Sequence, residues 1–171
     1  SRMEEKLNYE IGYDVNHERA TGKRMDTVSR SMTDLAFFST VDWSINSKMV
    51  LKPALRFATN SVYGNVITPA LNFKWNRSKS TWRASYASGY RSPTMKELYM
   101  NFVDINHNIL GNAALLPEKS NHFQGWFVTK FEKRKQQIDW EFSAFYQQVR
   151  NKIALSTDHS GINYSYFNIN R

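Results

Sequence analysis

The stretch "VYGNVITPALNFKWNRSKSTWRASYASGY", residues 62–90, decides the fold. In its first half Ile67, Pro69, Leu71, Phe73 and Trp75 alternate with Thr68, Asn72, Lys74 and Asn76. After the short polar "NRSKS", Trp82, Ala84, Tyr86 and Tyr90 alternate with Thr81, Arg83 and Ser85. A period of two is the pattern of a strand with one apolar and one polar face. Two such runs joined by a few polar residues read as an antiparallel hairpin.

The same pattern extends in both directions. In "KLNYEIGYDV" Leu7, Tyr9, Ile11, Tyr13 and Val15 share a face; in "DLAFFSTVDWSIN" Leu35, Phe37, Val41, Trp43 and Ile45 do so. "KMVLKPALRFATN" sets Met49, Leu51, Pro53, Leu55 and Phe57 against Lys48, Lys52, Arg56 and Asn60. "QIDWEFSAFYQQ" sets Ile138, Trp140, Phe142, Ala144 and Tyr146 against Asp139, Glu141, Ser143 and Gln147. "NHFQGWFVTKF" is less regular, and "INYSYFNINR" closes the chain. The expectation is an all-β, antiparallel up-and-down meander of about eight long strands. Most exceed the roughly 5–6 residues usual in globular sheets and suit a tilted bilayer crossing, which takes about 9–11.

A soluble barrel or sandwich would turn the apolar faces inward. The opposite faces, however, are charged and amide-rich in nearly every strand, which favours lipid outside and a polar interior. Connections alternate between short ("NS", "NRSKS", "EKRKQ") and long ("NHERATGKRMDTVSRSMT", residues 91–119), the habit of outer-membrane barrels. Trp43, Trp75, Trp82 and Trp140 fall near the short-turn ends, where aromatic rings collect at a headgroup boundary. Pro53 and Pro69 lack a ladder donor and are expected to mark local irregularities.

The chain has 171 residues and no Cys, which excludes disulfides, Cys-based zinc sites and a Cys nucleophile. Its formal net charge is +8. The basic residues sit largely in connections rather than in one stripe, which speaks against nucleic acid as a partner. No run of eighteen apolar residues is present, so no helix of the chain is long and apolar enough to cross a membrane. Asp104 and His107 are close in sequence but lack a nucleophile-elbow Ser, and no glycine-rich phosphate loop occurs, so no enzyme is expected.

The longest connection carries the most specific signal. "RASYASGYRSPTMKELYMNFVDINHNILGNAALLPEKS" resembles the signature region of TonB-dependent outer-membrane receptors. The matching residues are Gly89, Tyr90, Arg91, Pro93, Lys96, Glu97, Leu98 and Tyr99, then Gly111, Asn112, Leu115, Pro117, Glu118 and Ser120. Ser92 and Ala113 depart from the family's usual Ala and Pro. "FYQQVRNKIAL" and "YFNIN" are similar to the family's following strand–loop–strand run. The resemblance implies that 91–119 is an extracellular loop and that the whole of 1–171 is one region of a larger transmembrane barrel, about a third of 22 strands. The family's plug, through which TonB acts, is not recognisable here.

The implied function is uptake of an iron complex, haem or cobalamin across the outer membrane of a Gram-negative cell, with lipid, the cargo and TonB as partners. The alternative is a self-contained eight-stranded barrel serving as a structural or adhesive module, in which Lys6–Val15 would pair with Asn163–Arg171. Tyr90, Arg91, Tyr99, Phe102 and His107 are candidate cargo contacts. Imidazole makes His107 a candidate axial haem ligand, although no resident cofactor or metal is expected. Pro93, Glu97, Gly111, Asn112, Pro117 and Glu118 are expected to shape the loop, with Pro93 and Pro117 fixing its exit and return and Arg91 and Glu118 placed to pair.

Overall fold

The computed structural model describes residues 6–25, 29–105, 108–133, 136–158 and 161–169. Seven long strands form one antiparallel sheet: β1 (Lys6–Ala20), β2 (Arg30–Asn46), β3 (Met49–Asn60), β4 (Gly64–Arg77), β5 (Ser80–Arg91), β8 (Glu118–Lys133) and β9 (Gln136–Arg150). The connection between β5 and β8 holds helix α1 (Met95–Tyr99) and the short strands β6 (Asn101–Val103) and β7 (Asn108–Leu110). After β9, β10 (Lys152–Thr157) and β11 (Asn163–Ile169) form a hairpin; β11 pairs parallel with β7, which pairs antiparallel with β6.

All eight strands expected from alternation are present. The eighth, β11, lies in the second, four-stranded sheet instead of extending the meander. β1 and β2 run further than their apolar faces, and the polar ladder His17↔Thr33 to Ala20↔Arg30 continues their pairing. β1 has β2 as its neighbour and β9 has β8, so among the described residues the sheet is open and β1 does not close on β11.

Register puts every expected apolar set on one face. Leu7↔Trp43, Trp43↔Leu51, Leu51↔Phe73, Phe73↔Ala84 and Phe127↔Phe142 run across it. Tyr9 is 75% exposed, Phe142 69% and Trp140 68%. Long strands with large apolar side chains bare on one side fit lipid rather than water. Trp82–Phe127 (4.2 Å between centroids) and Tyr86–Phe123 (4.8 Å) tie β5 to β8 on this face, each contact worth about 0.5–1.5 kcal/mol beyond area.

The prolines are only partly disruptive. The β3–β4 register runs without shift from Met49↔Trp75 to Asn60↔Gly64, through both Pro53 and Pro69. The β4–β5 ladder ends at Ala70↔Ala87, next to Pro69, whose ring nitrogen has no hydrogen to donate. Beyond that point β5 stays with β8 as far as Arg91↔Glu118 and is free of β4.

Buried apolar packing lies over the long-loop end. Leu98 (3% exposed), Leu115 (2%) and Ile153 (9%) form a cluster joined by Tyr63, Tyr99 and Tyr166. One residue each from α1, the returning loop and β10 therefore make a small cap. Asn151, with φ of 55°, sets β10 off from β9. Asn tolerates the left-handed region better than most residues, so the turn is made at small cost.

Candidate functional site: a braced loop over a polar cavity

Loop 92–117 leaves β5 at Ser92 and Pro93 and enters α1 through a capping box. Thr94 accepts from the Glu97 backbone N–H (3.2 Å), and Glu97 accepts from the Thr94 N–H (2.7 Å) and hydroxyl (3.0 Å). The signal was local, Thr94-Met95-Lys96-Glu97, and sequence reasoning passed over it. α1 buries Met95 and Leu98, three apart and hence on one side.

Arg91 ties the two ends of the loop together. Its Nε and Nη2 donate to Glu118 at 3.0 and 2.9 Å, a bidentate fork, and its Nη1 donates to Glu97 at 2.9 Å. Glu118 also accepts from the Ile153 backbone N–H at 2.7 Å, which brings β10 into the same node. The expected Arg91–Glu118 pair is thus present, with Glu97 as a third member. Two carboxylates on one guanidinium leave the node with one net negative charge. Burial pushes the Glu97 carboxyl up, but donation by Arg91 and Thr94 outweighs it and holds the group below the usual carboxylate range.

Gly111 is required by close approach. A Cβ there would lie 2.6 Å from the Leu98 carbonyl carbon and 2.6 Å from the Tyr99 nitrogen. The approach lets the Gly111 N–H reach the Met100 carbonyl (2.6 Å) and the Asn112 N–H reach the Glu97 carbonyl (2.8 Å), closing the helix C-terminus. Asn112 then bonds outward from its side chain to the Tyr166 carbonyl (2.9 Å) and accepts from the Ala114 N–H (2.9 Å). Pro93 is fully buried, and Pro117 delivers the chain to Glu118 with its carbonyl accepting from Asn151 (3.4 Å). Asn168 clamps the return, bonding both the N–H (2.8 Å) and the carbonyl (2.9 Å) of Leu116.

The candidate cargo residues fall into three groups. Arg91 is held by its carboxylates. Tyr99 and Phe102 lie beneath guanidinium groups from β2 and the β1–β2 connection: Arg30 is 5.0 Å above Tyr99 and Arg24 is 4.6 Å above Phe102. The Asn101 N–H to Arg24 carbonyl bond (2.8 Å) and the Met25↔Met100 bridge complete that contact. Tyr90 belongs by alternation to the apolar face, but where β5 parts from β4 it joins the lining of a polar cavity. His107 lies outside the described residues.

That cavity, about 490 Å3, opens on the polar face beneath the loop and is lined by Asp14, Asn16, Asp34, Arg56, Asn60, Tyr90 and Arg91, among others. Asp14 pairs with Arg56 across β2 (2.9 Å). Asp34 accepts from Asn60 (2.6 Å), whose own carbonyl caps the turn by accepting from the N–H groups of Val62 and Tyr63. Sequence reasoning singled out neither. Asn60 carried a readable signal, an Asn followed by Ser-Val-Tyr-Gly at a strand end, where Asx turns form. Burial, then Tyr99, Tyr90 and Glu97, pushes the nearby Tyr63 hydroxyl up to about 12. The cavity offers carboxylates, two guanidinium groups, amides and a phenol, which suits binding by hydrogen bonds. No group of three or more metal-ligating side chains occurs among the described residues.

Known proteins give the arrangement a context. The family profile described as "TonB dependent receptor-like, beta-barrel" matches residues 4–171. Among curated proteins none matches significantly. The siderophore receptor PirA from Pseudomonas aeruginosa superposes with a TM-score of 0.80 at 17% identity, over 99% of this chain and 35% of that one. The ferric enterobactin receptor PfeA of the same organism, in complex with enterobactin, gives 0.74 at 14% identity, over 99% and 30%. The Serratia marcescens hemophore receptor HasR, with its hemophore HasA and heme, gives 0.70 at 13%, over 96% and 36%. The chain thus spans about a third of these structures, and at such identities they establish the fold alone. With the profile match over nearly its whole length, the chain belongs to the TonB-dependent receptors, an outer-membrane family of transporters rather than enzymes, and is a segment of their β-barrel.

Proposed function

We propose that this chain forms the loop-bearing part of a barrel that takes up an iron complex, a ferric siderophore or haem, or cobalamin, driven by TonB acting on a plug supplied by another part of the receptor. The observation that carries the reading is the polar cavity directly under the braced loop 92–117, on the face opposite the lipid-facing aromatics. Cargo that meets the loop would next meet Asp14–Arg56, Asp34–Asn60 and Tyr90. Tyr99, Phe102 and His107 are the loop side chains suited to flat or catecholate groups, the first two needing their Arg30 and Arg24 covers displaced. The closed eight-stranded alternative finds no support in the open sheet, whose first and last long strands have one neighbour each among the described residues.

The test is growth of a receptor-deleted strain on single sources of iron (ferric siderophores, haem) or on cobalamin, complemented with the receptor containing this chain. One source should depend on it. Tyr90→Ala and Arg56→Ala should weaken uptake of that source at unchanged receptor level. If no source depends on the receptor, the reading falls; if one does and the variants are silent, the cavity is not on the cargo's path.

A further inference from the structure

The wall beside the polar cavity is interrupted. β4 and β5 are paired from Arg77↔Ser80 up to Ala70↔Ala87 and no further. Both strands continue: β4 runs on through Pro69 to Gly64 beside β3, and β5 through Ser88 to Arg91 beside β8. Among the described residues no strand pairs with the facing edges of 64–69 and 88–91. The gap begins at Pro69, whose ring nitrogen has no hydrogen to donate. It forms a wedge about 13 Å long on the β5 side, four residues at about 3.3 Å each.

The wedge lies at bilayer depth. Ala70↔Ala87 is seven ladder steps above Arg77↔Ser80, about 23 Å along the strands. At a barrel tilt of about 40° that is about 18 Å above the short turn, within reach of an apolar band of about 25 Å. Ile67, on the lipid side of the β4 edge, is 59% exposed. Open strand edges do not persist against hydrocarbon, and irregular backbone at that depth is kept where it lines a cavity. The cavity is there: Val66 and Thr68 from the β4 edge and Ser88 and Gly89 from the β5 edge belong to its lining. With Ala70, Ala87, Ser88 and Gly89 at the narrow end, no large side chain plugs the opening. A polar chamber and the acyl layer thus meet at one place.

We propose that the cavity opens sideways into the outer half of the bilayer and that its ligand is an amphiphile: an iron complex whose polar head binds in the cavity while a fatty-acyl tail passes between β4 and β5 into the lipid. The proposal rests on the uptake reading above and narrows its cargo; cobalamin, which has no such tail, is excluded. A wholly polar cargo would leave the apolar rim at Ile67 uncovered. A bare acyl chain would leave the backbone groups of both edges without partners. A polar head with one chain satisfies both.

The test has two arms, both in the full-length receptor reconstituted in phospholipid vesicles. In the first, a fluorophore is attached to Val66→Cys, Ile67→Cys or Asn72→Cys; this chain has no Cys of its own. Phospholipids with nitroxides on their acyl chains should quench Ile67→Cys, on the lipid side. They should also quench Val66→Cys, on the cavity side of the wedge, and spare Asn72→Cys, which faces inward where Asn72↔Ser85 closes the wall. In the second, the iron complex that supports growth is bound with and without a dodecanoyl tail. The tailed form should bind tighter by about tenfold or more, and Ser88→Trp, which fills the narrow end, should bring the ratio to within about twofold of one. Equal sparing of positions 66 and 72 means a wall closed to the side and overturns the proposal. Quenching at 66 without tail preference means that membrane lipid fills the wedge and overturns the cargo assignment. Growth on cobalamin alone leaves the uptake reading standing and sinks this inference; growth on no source sinks both.

Discussion

Gly111→Ala isolates how the long loop is held. The added methyl carbon would sit 2.6 Å from two backbone atoms of α1 and 2.7 Å from the Leu98 carbonyl oxygen, against about 3.5–4.0 Å for comfortable contact. None of the three can rotate away, so residue 111 must recede by about 1 Å. That weakens the two bonds of the approach, Gly111 to Met100 and Asn112 to Glu97, each worth a net ~0.5–1.5 kcal/mol. With overpacking strain of about 1–3 kcal/mol, the cap should lose roughly 2–4 kcal/mol, a fall of about 30- to 1,000-fold in its closing equilibrium. Amide hydrogen exchange of residues 108–116, in the barrel in detergent micelles, reads this directly, since protection there reports opening of the cap alone. The control is Gly125→Ala, where an added Cβ meets nothing within 4 Å. If Gly111→Ala leaves protection within twofold of the parent, the close approach is not what requires glycine and the reasoning fails.

Three further outcomes are expected. Arg91→Lys keeps the charge and loses the fork on Glu118; because the Arg91 side chain is 42% exposed, the cost should be only about 1 kcal/mol, seen as faster proteolysis of loop 92–117 at unchanged barrel stability, and equal cleavage rates would count against the fork. Because the folded state holds the Glu97 carboxyl below its ordinary range, its contribution is present above the unfolded value and disappears as pH falls through the depressed one; loop protection should drop in acid, and Glu97→Gln should weaken that pH dependence, leaving the part carried by Glu118, which Arg91 also holds low. Phe142→Arg puts a charge on the lipid face and should cost about 2–4 kcal/mol if the residue sits near the bilayer midplane, measured as a lowered temperature of gel-mobility conversion; Ser143→Arg, one residue on and facing inward, should cost far less, and equal costs would refute the assignment of faces.

The long strands were legible because one side of each meets lipid and the other does not, so the period of two is written in residues such as Tyr9, Phe37 and Phe142. Where both sides of the ladder are polar, as at His17↔Thr33, the period vanishes and the strand ends look like loop. β6 and β7 have three residues each, too few to show a period. The pairing of Arg91 with Glu118 was readable from their places at two strand mouths. The bracing by Asn168, Asn112 and Ile153 was not, because a hydrogen bond between residues 35 to 54 apart leaves no mark in local pattern. The cavity under the loop was hidden for the same reason: Asp14, Asp34, Arg56 and Asn60 are unremarkable polar positions in three stretches until register aligns them.

The parallel pairing of β11 with β7 imposes an order on assembly. Asn108 bonds Asn163 and Leu116 bonds Asn168, partners 55 and 52 positions apart, whereas the β8–β9 hairpin needs only its neighbour. Contacts that close long loops form late. The seven-stranded wall should therefore be complete while the loop above it is still unlatched, and the β10–β11 hairpin, arriving last, acts as the bolt. Pulse-labelling during refolding should show the amides of 108–116 gaining protection after those of β5 and β8; simultaneous protection would mean that the loop nucleates on α1 alone.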